Sequence, residues 1–247
     1  MTALAATSHD TEARLVPAIV RNADRLRQLF AGIAINVTHS THPNVVSAMR
    51  DRLGAHVIVH PENEATIGRA RRDAVRLALE FPVSSILYCD FDHLMRWVQA
   101  NPEELRATLQ TQPDVAFLVI GRSAKAFAAE PQRLQETEIL VNRVYTKMTG
   151  RDWDLMFAVR RMSRNAAEEI VDSGKEESVA NDVEWPLLAE RAGFSLGYAA
   201  ADGLFYRAME EFGAPADSGD TSALQWIRRV ELAAQHASAM RQFLRKD

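Results

Sequence analysis

Ser84-Ser85-Ile86-Leu87-Tyr88-Cys89-Asp90-Phe91-Asp92-His93 is the stretch on which the reading of this chain turns. Mostly apolar residues run into two carboxylates one residue apart, and a helix-like segment follows. A short apolar run with polar flanks reads as a buried strand. Composition alone gives the triplet little weight. Fifteen of the 247 residues are aspartate, so chance yields about one Asp-x-Asp triplet. The chain has a second, Asp152/Asp154, which follows the Thr149-Gly150 turn and needs only a turn-stabilising role. The plain alternative for Asp90/Asp92 is capping of a helix that starts near residue 93. What raises the pair above chance is its address.

Upstream, strand and helix alternate. Residues 1–12 are small and polar and read as a disordered tail. Leu15 to Val20 reads as a first strand, and Asn22 as the cap of a helix bearing Leu26, Leu29 and Phe30. Ile33 to Thr38 is a second strand, rich in β-branched residues. Pro43 opens a helix with Val45, Val46, Met49 and Leu53 on one face, and Gly54 closes it. A third strand follows at Ala55 to Val59. Thr66 to Leu79 is helical, with Ile67, Ala70, Ala74, Leu77 and Ala78 on one side, and Pro82 stops it. The fourth strand, Ser85 to Cys89, delivers Asp90 and Asp92. This alternation with short connections implies a mostly parallel sheet with helices on both faces. Ligands of such sheets sit beyond the carboxyl ends of the strands, which is where Asp90 falls.

Downstream, His93 to Val98 reads as a short helical turn, and Asn101-Pro102-Glu103-Glu104 as a well-capped helix start. Asp114 to Ile120 is a fifth strand, ending at Gly121-Arg122-Ser123. A long helix runs from Pro131 to about Lys147, and a sixth strand spans Leu155 to Val159. Ser163 caps a helix, and the polar stretch Asp172 to Asn181 reads as a mobile loop. Asp182-Val183-Glu184-Trp185-Pro186 leads into a helix ending at Gly193, and Phe194 to Ala199 is a last strand. The organisation expected is one domain over 13–212, a linker at 213–220, and a C-terminal helix over 221–247 packed on that domain.

The remaining bounds come from composition. Hydrophobic residues are 47% and charged residues 25%, ordinary globular usage. A net charge of -4 argues against binding nucleic acid through bulk charge. Cys89 is the single cysteine, so no disulfide forms within the chain, as suits a reducing compartment. No run approaches the roughly 18 apolar residues that span a bilayer. The expectation is a soluble, cytoplasmic protein, with a homo-oligomer allowed.

Gly68-Arg69-Ala70-Arg71-Arg72, then Ile86 to Asp92, then Asp182-Val183-Glu184-Trp185 carry a further likeness. Their order and spacing resemble the nucleotide-sugar glycosyltransferases of the GT-A fold, particularly family-2-like members, over roughly residues 14–206. The resemblance implies a Rossmann-like α/β domain that moves a sugar from a nucleotide-diphosphate donor to a hydroxyl of a small-molecule or glycan acceptor. It implies Mg2+ or Mn2+ held by Asp90 and Asp92, since hard cations take one or two protein carboxylates plus phosphate oxygens. Gly68, Arg69, Arg72 and Asp90 would meet the donor, and Asp182 or Glu184 would be the general base. Arg122, Glu138, Asn142 and Trp185 are acceptor candidates, and Tyr198 and Tyr206 could stack on sugars.

The chain departs from that pattern in three places. Val20-Arg21-Asn22-Ala23-Asp24 only loosely matches an Asn-Glu pair, Asn36 to Ser40 lacks a base-reading carboxylate, and no downstream histidine offers a third metal ligand. His236 reads as a surface residue of the terminal helix. Two rivals share the triplet. One is a haloacid-dehalogenase-like phosphatase, against which stand the late position of the pair and Leu94 two residues after Asp92. The other is a binding module of this fold without turnover.

Overall fold

The computed structural model describes residues 1–205 and 216–244. Seven strands form one sheet: β1 Thr2–Ser8, β2 Gly32–Thr38, β3 His56–His60, β4 Ser85–Tyr88, β5 Phe117–Arg122, β6 Val159–Ser163 and β7 Leu196–Ala201. The order is β3-β2-β1-β4-β6-β5-β7. Only β6 runs against its neighbours, pairing antiparallel with β4 and β5. All other pairs are parallel, so the carboxyl ends of six strands share one edge.

Among the described residues ten helices connect them. They are α1 Val16–Leu29, α2 Pro43–Leu53, α3 Ile67–Ala78, α4 Phe91–Ala100, α5 Pro102–Gln110, α6 Ala124–Ala128, α7 Gln132–Thr149, α8 Arg164–Ser173, α9 Asn181–Arg191 and α10 Ala223–Arg241. One apolar cluster lies on each sheet face. Leu4, Ile35 and Leu87 meet α1, α2 and α4 on one side. Ala3, Tyr88 and Val119 meet α3, α8 and α9 on the other. Among the described residues no helix is long and apolar enough to cross a membrane.

The largest correction is at the start of the chain. Residues expected as a tail form β1, which lies between β2 and β4 near the middle of the sheet. Ala3, Leu4, Ala5 and Ala6 are fully buried. The small side chains that suggested a tail are what the site requires, because α3 packs on this strand through its own Ala74 and Ala78. Alanine has poor strand propensity, and packing overrides it. The expected first strand at 15–20 is instead the start of α1, with Pro17 in its first turn. Its buried residues Ile19, Asn22, Ala23 and Leu26 repeat at helical spacing. Asn22, expected as a cap, lies inside that helix and donates to the Ala18 carbonyl at 2.9 Å.

Other boundaries move less. The turn expected after Asp92 is the ten-residue α4. The sixth strand begins at Val159 rather than ending there, because Arg160 and Arg161 sit buried within it. The helices at Pro43 and Pro102 start as expected. Gly54 closes the first in the left-handed region, φ 65°. The Asn101 side chain accepts from Glu104 N at 3.2 Å. Of the expected linker, 213–215 lie outside the described residues. The rest is tied down: Ala216–Gly219 is a 3-10 turn, and Asp220 accepts from Gln132 N at 2.9 Å at the start of α7. Helix α10 packs on α7 and α9. Tyr206 also lies outside the described residues.

Leu4→Ala should test the placement of β1. A buried leucine truncated in a tight core costs about 2–5 kcal/mol, measurable by urea unfolding, whereas a tail position would show no change.

Candidate active site

Strand β4 carries the chain to the carboxyl edge, and Asp90 is the residue where it turns into α4. Asp90 stands at the N-cap position of α4, yet its side chain caps nothing. The capping explanation therefore fails. Oδ1 instead accepts from the Thr7 hydroxyl at 2.7 Å and the Tyr88 hydroxyl at 2.5 Å, and Oδ2 from Arg71 Nη2 at 2.9 Å. Burial alone would raise the Asp90 pKa. Arg71, with His93, Tyr88 and Thr7, outweighs it and holds the carboxyl below the usual range.

Arg71 is the buried bridging residue that sequence reasoning passed over. Its Nη1 reaches Asn181 Oδ1 at 3.0 Å and Asp182 Oδ1 at 2.9 Å. It thus joins Asp90 at the end of β4 to Asp182 in the first turn of α9. The signal was present: position 71 lies four residues after Ile67 and three before Ala74, on the apolar stripe of α3. A charge on a buried stripe marks a buried pair. The other oxygen of Asp182 faces His236 Nε2 at 3.6 Å. His236, expected on the surface, is fully buried.

The first turns of α9 are supported by Arg160. Pro186 has no N–H to give the carbonyl of Asp182 four residues earlier. Arg160 Nη2 donates to that carbonyl instead, at 3.0 Å. Trp185, an acceptor candidate from sequence, is buried edge-on to Tyr88, with centroids 5.4 Å apart. It is a core residue.

Gly68, Arg72 and Glu184 converge on one loop, residues 174–180. Gly68 N donates to Glu177 O at 2.7 Å, and a Cβ there would lie 2.4 Å from Ser178 O. Arg72 Nη1 donates to the Glu176 carbonyl. Glu184 Oε1 accepts from the backbone of Lys175 at 2.7 Å and of Glu176 at 2.9 Å. The loop read as mobile is pinned from three sides, and these residues are committed to holding it. Arg69 is exposed, 4.0 Å from Asp73 Oδ2. With His60, Asn63 and Thr66 it lines a cavity of about 370 Å³ beyond β3.

Asp92 lies in the first turn of α4, 36% exposed. Its Oδ2 pairs with Arg96 and lies 3.7 Å from His93 Nε2, and among the described residues its Oδ1 makes no hydrogen bond. Among the described residues no three His, Cys, Asp or Glu side chains converge to hold a metal ion. A divalent ion therefore has no protein cage here. Oδ1 of Asp92, beside Asp90, fits one that takes its other ligands from phosphate and water.

The acceptor candidates Arg122, Glu138 and Asn142 belong to a second buried network. Asp154, read as a turn residue, grips Arg122: Oδ2 accepts from its backbone N at 2.9 Å and Nε at 2.8 Å, and Oδ1 from Nη2 at 2.8 Å. Glu130 lies 3.3 Å from Arg122, and Glu138 pairs with it and with Arg229 of α10 at 2.7 Å. Asn142 donates to Asp154 Oδ1 at 3.4 Å and accepts from Leu155 N at 3.2 Å. Glu138 therefore faces inward, not toward an acceptor. Above the network opens a cavity of about 570 Å³ with Phe127, Arg143, Lys147 and Trp153 in its wall. Phe157 stacks on His93 at 4.1 Å and lies under the Arg122 guanidinium at 4.8 Å, so it touches both the Asp92 side and the Arg122 network.

Solved structures share this fold. Glucosyl-3-phosphoglycerate synthase from Mycobacterium tuberculosis with Mn2+, uridine diphosphate and phosphoglyceric acid is 10% identical, with a TM-score of 0.54 over 98% of this chain and 78% of that one. The synthase with Mn2+, uridine-diphosphate-glucose and glycerol 3-phosphate is 10% identical, with a TM-score of 0.53 over 98% and 79%. A mycobacterial protein is 13% identical, with a TM-score of 0.60 over 98% and 74%. At such identities the likeness establishes the fold, and the chain has the GT-A fold that its motifs resembled. No family model and no curated protein matches the sequence.

Arg71→Met leaves two carboxylates without their shared cation. Urea unfolding should show a loss of about 3–5 kcal/mol, the cost of breaking a buried pair from one side. Asp154 gives a pH signature. Burial would raise its pKa, but Arg122 overrides this and holds it below the usual range. Its contribution to stability is then complete above its unfolded value near 4 and is lost as pH falls through the lower folded value. Stability measured against pH should fall below about pH 4, and less steeply in Asp154→Asn.

Proposed function

We propose that the protein is a metal-dependent glycosyltransferase that moves a hexose from a nucleotide-diphosphate donor to a hydroxyl acceptor. One observation carries the reading. At the carboxyl edge of a GT-A sheet, Asp90 is fixed by Thr7, Tyr88 and Arg71, and Asp92, two residues on, is 36% exposed with one oxygen that no described residue bonds. Asp92, beside Asp90, would hold Mg2+ or Mn2+ with the donor diphosphate. The ion, when bound, neutralises charge that builds on the leaving diphosphate. Arg69, in the cavity beyond β3, is the exposed cation nearest in sequence to the Arg71 bridge and is assigned to the donor phosphates.

The acceptor enters the cavity beside Phe157. The synthase neighbours were captured with phosphoglyceric acid or glycerol 3-phosphate and with uridine nucleotides. By that likeness the donor is a uridine-diphosphate sugar and the acceptor is small and anionic, and Arg143 and Lys147 offer it two positive charges. Asp182 is preferred over Glu184 as the group that takes the acceptor proton. It shares the Arg71 bridge with Asp90, whereas Glu184 holds the 174–180 loop. The phosphatase reading needs a carboxylate oxygen free to attack, and both oxygens of Asp90 already accept from protein donors.

Incubation with a panel of nucleotide sugars and Mn2+ should release nucleoside diphosphate, fastest from uridine donors. Asp92→Ala or a chelator should slow release by about 100-fold or more, the scale of removing a charge-stabilising group. Release of inorganic phosphate from simple esters would favour the phosphatase. If calorimetry with metal present detects no binding of any nucleotide or nucleotide sugar, the transferase reading fails.

A further inference from the structure

Helix α10 follows the sheet at the end of the chain and packs against α7 and α9. Its buried face is built from Ala233, Ala239, Met240 and one polar residue, His236. An apolar side chain of similar size would fill that position without cost. Imidazole brings two polar atoms into a place closed to water, which is unfavourable unless they are used.

The ring's orientation is determined by its hydrogen bond. Nδ1 lies 2.7 Å from the Leu232 carbonyl, which can only accept, so Nδ1 carries hydrogen. Among the described residues Nε2 has no hydrogen-bond partner, and the atom it faces is Asp182 Oδ2 at 3.6 Å. That contact is attractive when a proton lies on Nε2. Asp182 Oδ1 is meanwhile held by Arg71, whose other nitrogen holds Asp90. His236, Asp182, Arg71 and Asp90 thus form one chain of contacts from the terminal helix to the end of β4.

We infer that His236 is a positioning residue for Asp182, and that α10 is for this reason part of the active site rather than an appendage to the domain. The inference rests on the proposed transferase reading for its effect on turnover, but the contact itself does not. His236 faces one oxygen of the Asp182 carboxylate while Arg71 holds the other, so the two residues together orient the group.

The test uses the full chain. His236→Leu keeps the packing and removes the polar contact, and His236→Gln restores an N–H donor. With saturating donor, His236→Leu should lower kcat for nucleoside diphosphate release by about 10- to 100-fold, the scale of a misplaced catalytic group, while donor KM stays within about threefold. His236→Gln should recover most of the loss. Thermal midpoints of wild type, His236→Leu, Asp182→Asn and the double variant give a second readout that needs no activity. The His236→Leu shift should differ between the two backgrounds, since residues in contact are not additive. Should His236→Leu not fold, His236→Gln takes its place in the cycle. Wild-type kcat in His236→Leu, or equal midpoint shifts in both backgrounds, overturns the inference. If the wild type releases nothing from any donor, the transferase reading falls and the midpoint cycle still decides the contact.

Discussion

One guanidinium, that of Arg71, joins three pieces of chain far apart in sequence: α3, the end of β4 and the start of α9. A carboxylate in so closed a place is costly to keep ionised. Two of them, Asp90 and Asp182, share a cation that is itself almost fully buried. Each partner makes the charge of the other tolerable, and planar geometry lets one arginine serve both at 2.9 Å. Once this bridge forms, the turn at Asp90, the entry of α9 and the 174–180 loop behind it have fixed relative positions. The carboxylate left open, Asp92, then stands on a rigid base.

Arginine does comparable work elsewhere, with backbone in place of carboxylate. Helix C-termini leave carbonyls without partners. Arg27 donates to the Arg52 carbonyl after α2 begins to end, at 2.7 Å. Arg164 reaches the Leu79 and Phe81 carbonyls beyond α3, at 2.8 and 3.0 Å. Arg161 does the same for Leu109 and Gln112 at the end of α5, at 3.1 and 2.6 Å. Each bond ties a helix end to an element distant in sequence, so the arginines act as cross-braces between layers.

Much of the fold could be read from local pattern. The Asn101 and Ser163 caps, the Gly54 stop and the apolar face of α3 are signals within a few residues, and the structure contains them. The position of Asp90 at the carboxyl edge followed from the alternation of elements. What local pattern could not carry was partnership. Alanines suit a tail as well as a strand under a close helix, so β1 was hidden until α3 was seen packed upon it. Arg69, Arg71 and Arg72 look alike in sequence, and only the packing of α3 shows that Arg71 is the one that reaches Asp90 and Asp182. Asp154 and Arg122 lie 32 residues apart, and nothing near either names the other. His236 looked superficial because α10 carries apolar residues on several faces.

The interior place of β1 has a consequence for the birth of the protein. This strand is made before any of its neighbours, and its register joins Ala3 to Gly32 on one side and Ile86 on the other. Parallel pairing must therefore wait for long stretches of chain, a topology that folds slowly. During synthesis the segment leaves the ribosome as an unpaired strand with two bare edges, the kind of surface that invites wrong partners. Its small, weakly β-forming alanines reduce that hazard. The same residues that allow α3 to approach closely keep the waiting strand from being sticky.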